Sequence, residues 1–391
     1  MRLRADAPAQ LTYCLNIHRG ESWTETQAAL RGPALSVARR VAPDQLFGLG
    51  LRLSARAAEE LAEPGPLQDL SEFLARQNLG VFTINGFPYG RFHGAPVKAR
   101  VYEPDWQTAE RESYTCLLAD LLAGLLPEGQ DGSISTVPVG FAPALASPSA
   151  VDAAVARLLH SVRHLARVEA ETGREIHLGL EPEPSCYLER SEEFVAFYQR
   201  LLAAAGPGEE PLVRRHLGVC FDTCHVALAF ESPAEAWDRY VAAGIRISKV
   251  QLSAALQTNA DEDARAALRA FDEPTYLHQV RARRRDGTVA AWLDLPEALA
   301  AWPSDAEQVR VHFHVPLFWS AAGPLGSTAS TLDAAFWTRA RGGACTHFEV
   351  ETYTFEVLPP SLQCGDVVAS IAAELNWARA RLLGGTDELS G

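Results

Sequence analysis

Residues 218–228 read GVCFDTCHVAL, a stretch that begins as a buried β-strand and ends in groups capable of chemistry. Val219 and Phe221 alternate with smaller residues, which is the period of two expected of a strand packed on one face. Asp222 and His225 follow at once. We therefore expect this strand to end beside a polar site. The fold depends on whether other strands end in the same way.

The same rhythm of short apolar strand and longer amphipathic helix recurs along the chain. It predicts strands at 11–18, 45–53, 80–87, 132–141, 175–184, 217–225, 246–254 and 346–355. It predicts helices at 67–79, 150–173, 191–202, 232–244 and 367–383. Eight such units predict an α/β fold, a closed (β/α)₈ TIM barrel in one domain over 1–391. The alternative is an open doubly wound sheet. No GxGxxG follows the first strand, and the even spacing of the units also favours the barrel.

Residues 255–308 interrupt this rhythm between the seventh and eighth strands. The segment is charged, and we expect it to form an insertion over the barrel mouth, the end where the strands finish. Its run RARRRDG (281–287) has two interpretations: a solvated helix face, or a grip on an anionic substrate. A further apolar run, VRVHFHVPLF (309–318), follows the insertion.

Composition excludes several classes of protein. The 391 residues carry a formal net charge of −14 and are 47% hydrophobic, so nucleic acid is not an expected partner. No apolar run is long enough for a secretory signal or a transmembrane helix. Seven cysteines in no regular spacing predict no disulfide framework. These features together predict a cytoplasmic protein.

Polar side chains converge on one end of the predicted barrel. In a barrel strand alternate residues point inward, and the carboxyl ends of all strands meet at one mouth. Period-two alternation turns the following polar residues inward or places them just above: Asn16, His18, Asn85, Glu181, Glu183, Asp222, His225, His312, His314, Glu349 and Glu351. Buried acids need a counter-charge, and lysine supplies at most Lys249. A divalent cation is the simplest solution, and mixed oxygen and nitrogen ligands suit Mn²⁺, Zn²⁺, Co²⁺ or Fe²⁺.

Each of these residues also has a purely structural interpretation. A single Asp or His at a strand end is commonly a helix cap or a loop hydrogen-bonder. Cys220 and Cys224 flank the Asp and His as possible soft ligands, but cysteines on apolar strands are usually small buried hydrophobes. Four strand ends of this type in one barrel favour the metal site over these separate roles.

The segments GVCFDTCH (218–225), LGLEPEP (178–184), HFHVP (312–316) and EVET (349–352) together resemble the xylose-isomerase-like TIM barrels. That superfamily contains sugar isomerases, ketose epimerases and type IV AP endonucleases. The resemblance implies metal ligands at Glu181, Asp222, His225, His314 and Glu351, with His312 as a further ligand or a substrate contact. On the seventh strand, where relatives place a histidine ligand, this chain has Gln251 and Ser253. That departure implies one metal rather than a cluster, or entry of His278 from the insertion.

Within the superfamily, the segments CLNIHRGESW (14–23), INGFPYGRFHG (84–94) and HFEVETYTFEVLP (347–359) resemble the metabolite traffic protein EboE group. The likeness implies a role in secondary metabolism, with a small metabolite and a membrane-associated prenyltransferase-like protein as partners. It implies no defined reaction.

Three functions follow as hypotheses. The first is isomerase or epimerase chemistry on a polyol or sugar-like metabolite, with Glu181 or Glu351 as the base. In this hypothesis the substrate contacts are His18, Asn85, Phe87, Tyr89 and His312. The second is a metabolite carrier without catalysis, and the third is metal-assisted hydrolysis of a phosphoester.

Overall fold

The computed structural model describes residues 1–3, 8–94, 96–363 and 365–385. Eight parallel strands form one sheet, and all eight predicted strands are present in it. With all strands numbered in chain order, the barrel strands are β1 (Gln10–Tyr13), β2 (Phe47–Arg52), β3 (Leu79–Asn85), β4 (Gly132–Thr136), β5 (Ile176–Leu180), β6 (Leu217–Asp222), β7 (Arg246–Leu252) and β14 (His347–Val350).

The sheet curls into a nearly closed barrel. Its strand order is β1-β14-β7-β6-β5-β4-β3-β2, and an isolated parallel bridge between Cys14 and Gly50 joins the two ends. Every residue of these strands is buried except Arg246, which is half-buried. The predicted α/β TIM barrel is therefore confirmed, and the open doubly wound sheet is not formed.

Fourteen α-helices lie among the described residues, most of them between successive strands. They are α1 (Trp23–Ala29), α2 (Leu35–Val41), α3 (Ala55–Ala62), α4 (Pro64–Gln77), α5 (Ala109–Leu125), α6 (Pro148–Thr172), α7 (Ser191–Ala204), α8 (Glu210–His216), α9 (Thr223–Leu228), α10 (Pro233–Ala242), α11 (Glu262–Leu268), α12 (Leu295–Ala300), α13 (Ala334–Ala340) and α14 (Val367–Leu382). A π-helical turn, Leu30–Ala34, joins α1 to α2. Gly173 ends α6 at a φ of 71°, as its position in the sequence predicts.

The GVCFDTCH stretch has the alternation expected of it. Phe221 points away from the barrel axis and packs against Trp237, Tyr240 and Phe336 of the surrounding helices, with ring centroids 5.7–6.1 Å apart. Asp222 therefore points to the other side, because successive side chains of a strand alternate. The apolar face of β6 anchors the strand while its last residue faces the barrel interior.

The segment between β7 and β14 forms a second sheet that is antiparallel. Its strands, in the order β10-β9-β11-β8-β13-β12, are β8 (Leu256–Thr258), β9 (Val280–Arg284), β10 (Val289–Trp292), β11 (Ala306–Val311), β12 (Ala321–Ala322) and β13 (Leu325–Ser327). This sheet extends past residue 308, where the sequence pattern predicts the insertion to end. The predicted run at 309–318 contributes only its beginning, to β11 rather than to the barrel.

The arginine run 281–287 fits neither of its two interpretations. Its first residues belong to β9 and not to a helix. Arg281 is buried and donates two hydrogen bonds to Glu189, 2.7 and 2.8 Å long. Arg283 lies over the ring of Phe230, and Arg284 pairs with Asp305. Arg281 and Arg283 therefore join the second sheet to residues of the barrel connections, and Arg284 makes an ion pair within the same segment.

Candidate metal centre

Asp222 is both a helix cap and a potential ligand. Its Oδ1 accepts hydrogen bonds from the backbone N–H groups of Cys224 and His225, at 2.7 and 3.1 Å, and from the Ser253 hydroxyl at 2.6 Å. These bonds cap the short helix α9. Its Oδ2 is buried without a hydrogen-bond partner among the described residues. One oxygen thus serves the structure and leaves the other free for a cation.

Glu181 and Glu351 lie close to Asp222 at the carboxyl ends of β5 and β14. One oxygen from each of the three carboxylates lies within 4.8 Å of the other two. The Gln251 amide donates to Glu181 Oε1 at 2.8 Å and also to Glu351. Asn16 donates to Glu351 as well, at 2.6 Å. Amide donors therefore fix the direction in which each carboxylate points.

Three histidines form a second group of ligand atoms beside the carboxylates. The Nε2 atom of His312 lies 3.3 Å from His225 Nε2 and 3.2 Å from His314 Nε2. The Nδ1 atoms of His312 and His314 lie 2.6 and 2.7 Å from two carbonyl oxygens, one on the Gln279 side chain and one on the Glu351 backbone. A carbonyl only accepts, so both Nδ1 atoms carry the proton and both Nε2 atoms present lone pairs. Lone pairs this close together suit a shared cation.

Burial and mutual charge shift the pKa values across the centre. Burial, reinforced by the Asp222 charge, raises the pKa of Glu181 to about 8. The pKa of Glu351 is raised for the same two kinds of reason, burial and neighbouring carboxylates. Burial lowers the pKa of His314 to about 4. Burial opposes ionisation of Asp222, but the charges of His225 and His314 lower its pKa below the ordinary value. Burial and mutual repulsion thus destabilise the charged forms of the two glutamate carboxylates. A bound divalent cation would remove that repulsion.

Gln251 lies on the seventh strand, where the resemblance to the xylose-isomerase-like barrels implies a histidine ligand. On β7 it lies in register with Asp222 of β6 and Glu349 of β14. Its amide nitrogen is turned to the carboxylates, and its Oε1 is buried with no partner in the described part of the chain. His278 does not replace the missing histidine ligand, because both of its ring nitrogens are hydrogen-bonded, one to Glu273 and one to the His312 carbonyl.

A cavity opens directly above these ligand groups. Polar residues line its deep end, and aromatic and aliphatic side chains line the rest, among them Phe87, Phe92, Tyr102, Tyr276, Leu277 and Tyr353. Tyr276, Leu277 and His312 come from the segment between β7 and β14, so that segment helps to build the mouth. An ordinary ligand site has this combination of apolar wall and few polar groups.

The predicted substrate contacts are divided between the cavity and its surroundings. Asn85, Phe87 and His312 line the cavity. His18 and Tyr89 do not: the His18 ring bonds to the Tyr13 hydroxyl at 3.0 Å, and the Tyr89 ring packs against Tyr114. The structure brings the five predicted metal ligands together and leaves these two outside.

The two cysteines of the opening stretch are both fully buried. Burial and the nearby carboxylates raise the pKa of both thiols far above the usual value. Cys224 Sγ nevertheless lies within 4.8 Å of ligand atoms of His312 and His314. Packing is the role that these thiols fill best.

Two functional neighbours escape the sequence reasoning. Tyr102 donates to Glu183 at 2.8 Å, and Gln279 fixes the His312 ring. Tyr102 lies in a 3₁₀ turn of a long connection and Gln279 in the segment before β9. Neither position has a periodic pattern, so no sequence signal points to them.

The chain shares its fold with solved TIM barrels at low sequence identity. A xylose isomerase-like TIM barrel protein from Mycobacterium smegmatis in complex with magnesium matches with a TM-score of 0.54 at 12% identity, over 98% of each chain. A structure of the IOLI protein with a zinc atom matches with a TM-score of 0.50 at 10% identity, over 97% of this chain and 99% of that one. L-ribulose 3-epimerase matches with a TM-score of 0.50 at 12% identity, over 96% and 95%. These similarities agree with the TIM-barrel fold.

No protein-family model and no curated protein matches the sequence. Among the described helices, none combines the length and the hydropathy needed to cross a membrane.

Proposed function

We propose that the protein is a divalent-metal-dependent isomerase or epimerase that acts on a small polyol or sugar-like metabolite. The observation that carries this proposal is the joint placement of Glu181 and Glu351. Both carboxylates accept hydrogen bonds from the same Gln251 amide, both adjoin Asp222, and both line the deep end of one cavity.

The residues present fit a cation. Glu181 Oε2 and Asp222 Oδ2 are buried oxygens without hydrogen-bond partners within the described ranges, and the nearby Nε2 lone pairs add softer ligands. We assign the metal to Glu181, Asp222, Glu351, His225 and His314, with His312 as an additional ligand. This mixed set suits Mn²⁺, Zn²⁺, Co²⁺ or Fe²⁺. A bound cation would hold adjacent substrate oxygens and polarise a carbonyl group.

The chain's own groups then move a proton. One of the carboxylates of Glu181 and Glu351 takes the proton from the carbon next to the carbonyl, and the other returns a proton to the substrate. Asn16 and Asn85 donate to Glu351 and hold it in place, at 2.6 and 3.2 Å. Phe87 and the cavity tyrosines Tyr102, Tyr276 and Tyr353 shield the deprotonated substrate from water.

A carrier function is the second candidate, and the Gln251 amide favours it. By donating to two carboxylates at once, that amide partly satisfies them without a cation. In this proposal the cavity holds a metabolite of secondary metabolism for an EboE-like traffic role, with a membrane-associated prenyltransferase-like partner.

Metal binding is tested with Asp222→Asn, because asparagine keeps Oδ1 as the cap of α9 and replaces the unpartnered Oδ2 by an NH₂ group. We expect the variant to fold and to lose the cation at the mouth, measured by elemental analysis after gel filtration. The matched control is Asp261→Asn, since the exposed Asp261 caps helix α11 through its Oδ1, 2.8 Å from the Ala264 N–H. An Asp222→Asn variant that binds as much metal as the control would refute the ligand assignment.

Catalysis is tested by exchange of substrate C–H for solvent deuterium across a panel of sugars and polyols. Exchange that needs added metal and is lost in Glu181→Gln and Glu351→Gln supports the enzyme. Metabolite binding without any exchange supports the carrier.

A further inference from the structure

A second cluster of potential ligands lies at the amino end of the barrel, opposite the mouth. Asp131 immediately precedes β4, His177 is the second residue of β5, and His347 begins β14. We call these three residues the floor cluster. His177 and His347 each precede a residue of the mouth, Glu181 and Glu351, by four positions. At about 3.3 Å per residue the two ends lie roughly 13 Å apart.

The distances within the floor cluster match those between ligands of one metal ion. His177 Nε2 donates a hydrogen bond to Asp131 Oδ2 at 3.2 Å, so a cation here would take the place of that proton, and His347 Nε2 lies 3.5 Å from Asp131 Oδ1. All three ligand atoms lie within 4.8 Å of one another. With bonds of about 2.0–2.1 Å, two ligands of a tetrahedral Zn²⁺ stand roughly 3.4 Å apart.

The His347 ring is oriented for a ligand role. Its Nδ1 lies 2.9 Å from the Ser133 hydroxyl, and that hydroxyl donates to Thr83 Oγ1 at 2.7 Å. With the Ser133 proton used in this way, His347 Nδ1 is the donor and Nε2 is a lone pair. His347 is 1% exposed, and its Nε2 has no hydrogen-bond partner in the described chain. A lone pair that lies 3.5 Å from a carboxylate oxygen matches the spacing of two ligands on one cation.

The charges around the floor cluster leave room for that cation. Arg246 donates to Asp131 at 3.0 Å and also to Glu175, while Arg215 pairs with Glu169 and Glu175. Three carboxylates face two guanidinium groups here, so one negative charge is left without a counter-charge. Arg246 is then an outer donor that orients a ligating carboxylate.

We propose that Asp131, His177 and His347 form a second, structural site for a divalent transition metal such as Zn²⁺. The three ligands leave a fourth position toward the groove that Asp131, His177, Arg246, Ser248 and Cys345 line at this end of the barrel. A cation there ties β4, β5 and β14 together across the barrel floor. This site is independent of the proposed function at the mouth.

The test is a titration of chelator-treated protein with Co²⁺, followed by visible absorption and by the number of bound equivalents. Asp131→Asn and His347→Gln should each lower the affinity for one equivalent of Co²⁺ by at least about 100-fold. Both variants should leave metal binding at the mouth intact. The Asp131→Asn variant should fold even if His347→Gln does not, because Asp131 is only half-buried. The mouth variant Asp222→Asn should retain that same equivalent.

The proposal is overturned if both floor variants bind as many equivalents as the wild type. It is also overturned if Asp222→Asn alone abolishes all Co²⁺ binding in a folded protein. In either case the floor cluster is a hydrogen-bonded network around Asp131, and its histidines bind no metal.

Discussion

A buried ion pair below the metal centre yields the most quantitative prediction. Lys249 of β7 and Glu349 of β14 form a hydrogen-bonded salt bridge, and their side chains are 0% and 1% exposed. Burial lowers the pKa of Lys249, but the Glu349 charge outweighs it and the pKa lies above its usual value. Lys249 is therefore a fixed cation one layer below Gln251. It is not a group poised to shuttle a proton.

Lys249→Met should destabilise the fold by about 3 kcal/mol at pH 7. Glu349 then loses its counter-charge, and its other oxygen is already without a partner among the described residues. The carboxyl can escape by taking up a proton. From an ordinary pKa of 4.5, holding that proton at pH 7 costs about 3 kcal/mol, and nothing at pH 4.5. Losses of about 3–5 kcal/mol are usual when one partner of a buried pair is removed.

The assay is the free energy of unfolding in urea at pH 5 and pH 7, for Lys249→Met, Glu349→Gln and the double variant. The loss in Lys249→Met should shrink toward pH 5, and the double variant should recover most of it. Metal binding at the mouth should persist in every folded variant. The reasoning is refuted if Lys249→Met is as stable as the wild type at pH 7 yet loses all substrate C–H exchange, because Lys249 would then act in catalysis.

Two further predictions concern single buried positions. Burial raises the pKa of Glu374 to about 7 despite hydrogen bonds from the Leu317 N–H and a threonine hydroxyl. The unfolded chain ionises first, so stability should fall by about 3 kcal/mol between pH 4.5 and 7. In urea unfolding, Glu374→Gln should remove this loss of stability between pH 4.5 and 7. A variant with the same pH profile as the wild type would contradict the prediction. Gly50→Ala should cost at least about 1–3 kcal/mol, because the new Cβ would lie 1.8 Å from Glu349 Oε1. The control in thermal unfolding, Gly124→Ala, meets nothing within 4 Å, and equal melting temperatures for the two variants would contradict the expected clash.

The sequence pattern locates the strands well because it records which face of each strand is buried. The strand predicted at 217–225 is observed at Leu217–Asp222, and the one at 246–254 at Arg246–Leu252. Each predicted strand overshoots at its carboxyl end, because the sequence alternation continues into residues that belong to loops or helices. His225 is an example, since β6 ends at Asp222 and His225 lies in α9.

Helices were predicted less completely than strands. The helix Ala109–Leu125 buries the polar Arg111 and Thr115 and leaves Leu117 half-buried, so its apolar residues do not mark one face in the sequence. The helix predicted at 191–202 is observed at Ser191–Ala204, two residues longer at its carboxyl end. Local contacts decide such boundaries to within a residue or two.

The barrel and its set of inward-facing polar residues are predictable from the alternation of residues, because a period of two fixes the face of each strand and parallel strands end together. This alternation therefore brings Glu181, Asp222 and Glu351 to one mouth. Which atom of each residue is free depends on contacts that exist only in the folded protein. Those contacts assign Asp222 Oδ1 to a helix cap and turn the Gln251 amide toward two carboxylates.

The tertiary structure alone also decided which residues from the connections reach the site. Tyr102 and Gln279 contact the centre, whereas His18 and Tyr89 bond or pack elsewhere. The physical reason is that a residue in a connection has no strand periodicity to fix its direction. Its position depends on contacts with distant parts of the chain, which form only when the barrel closes.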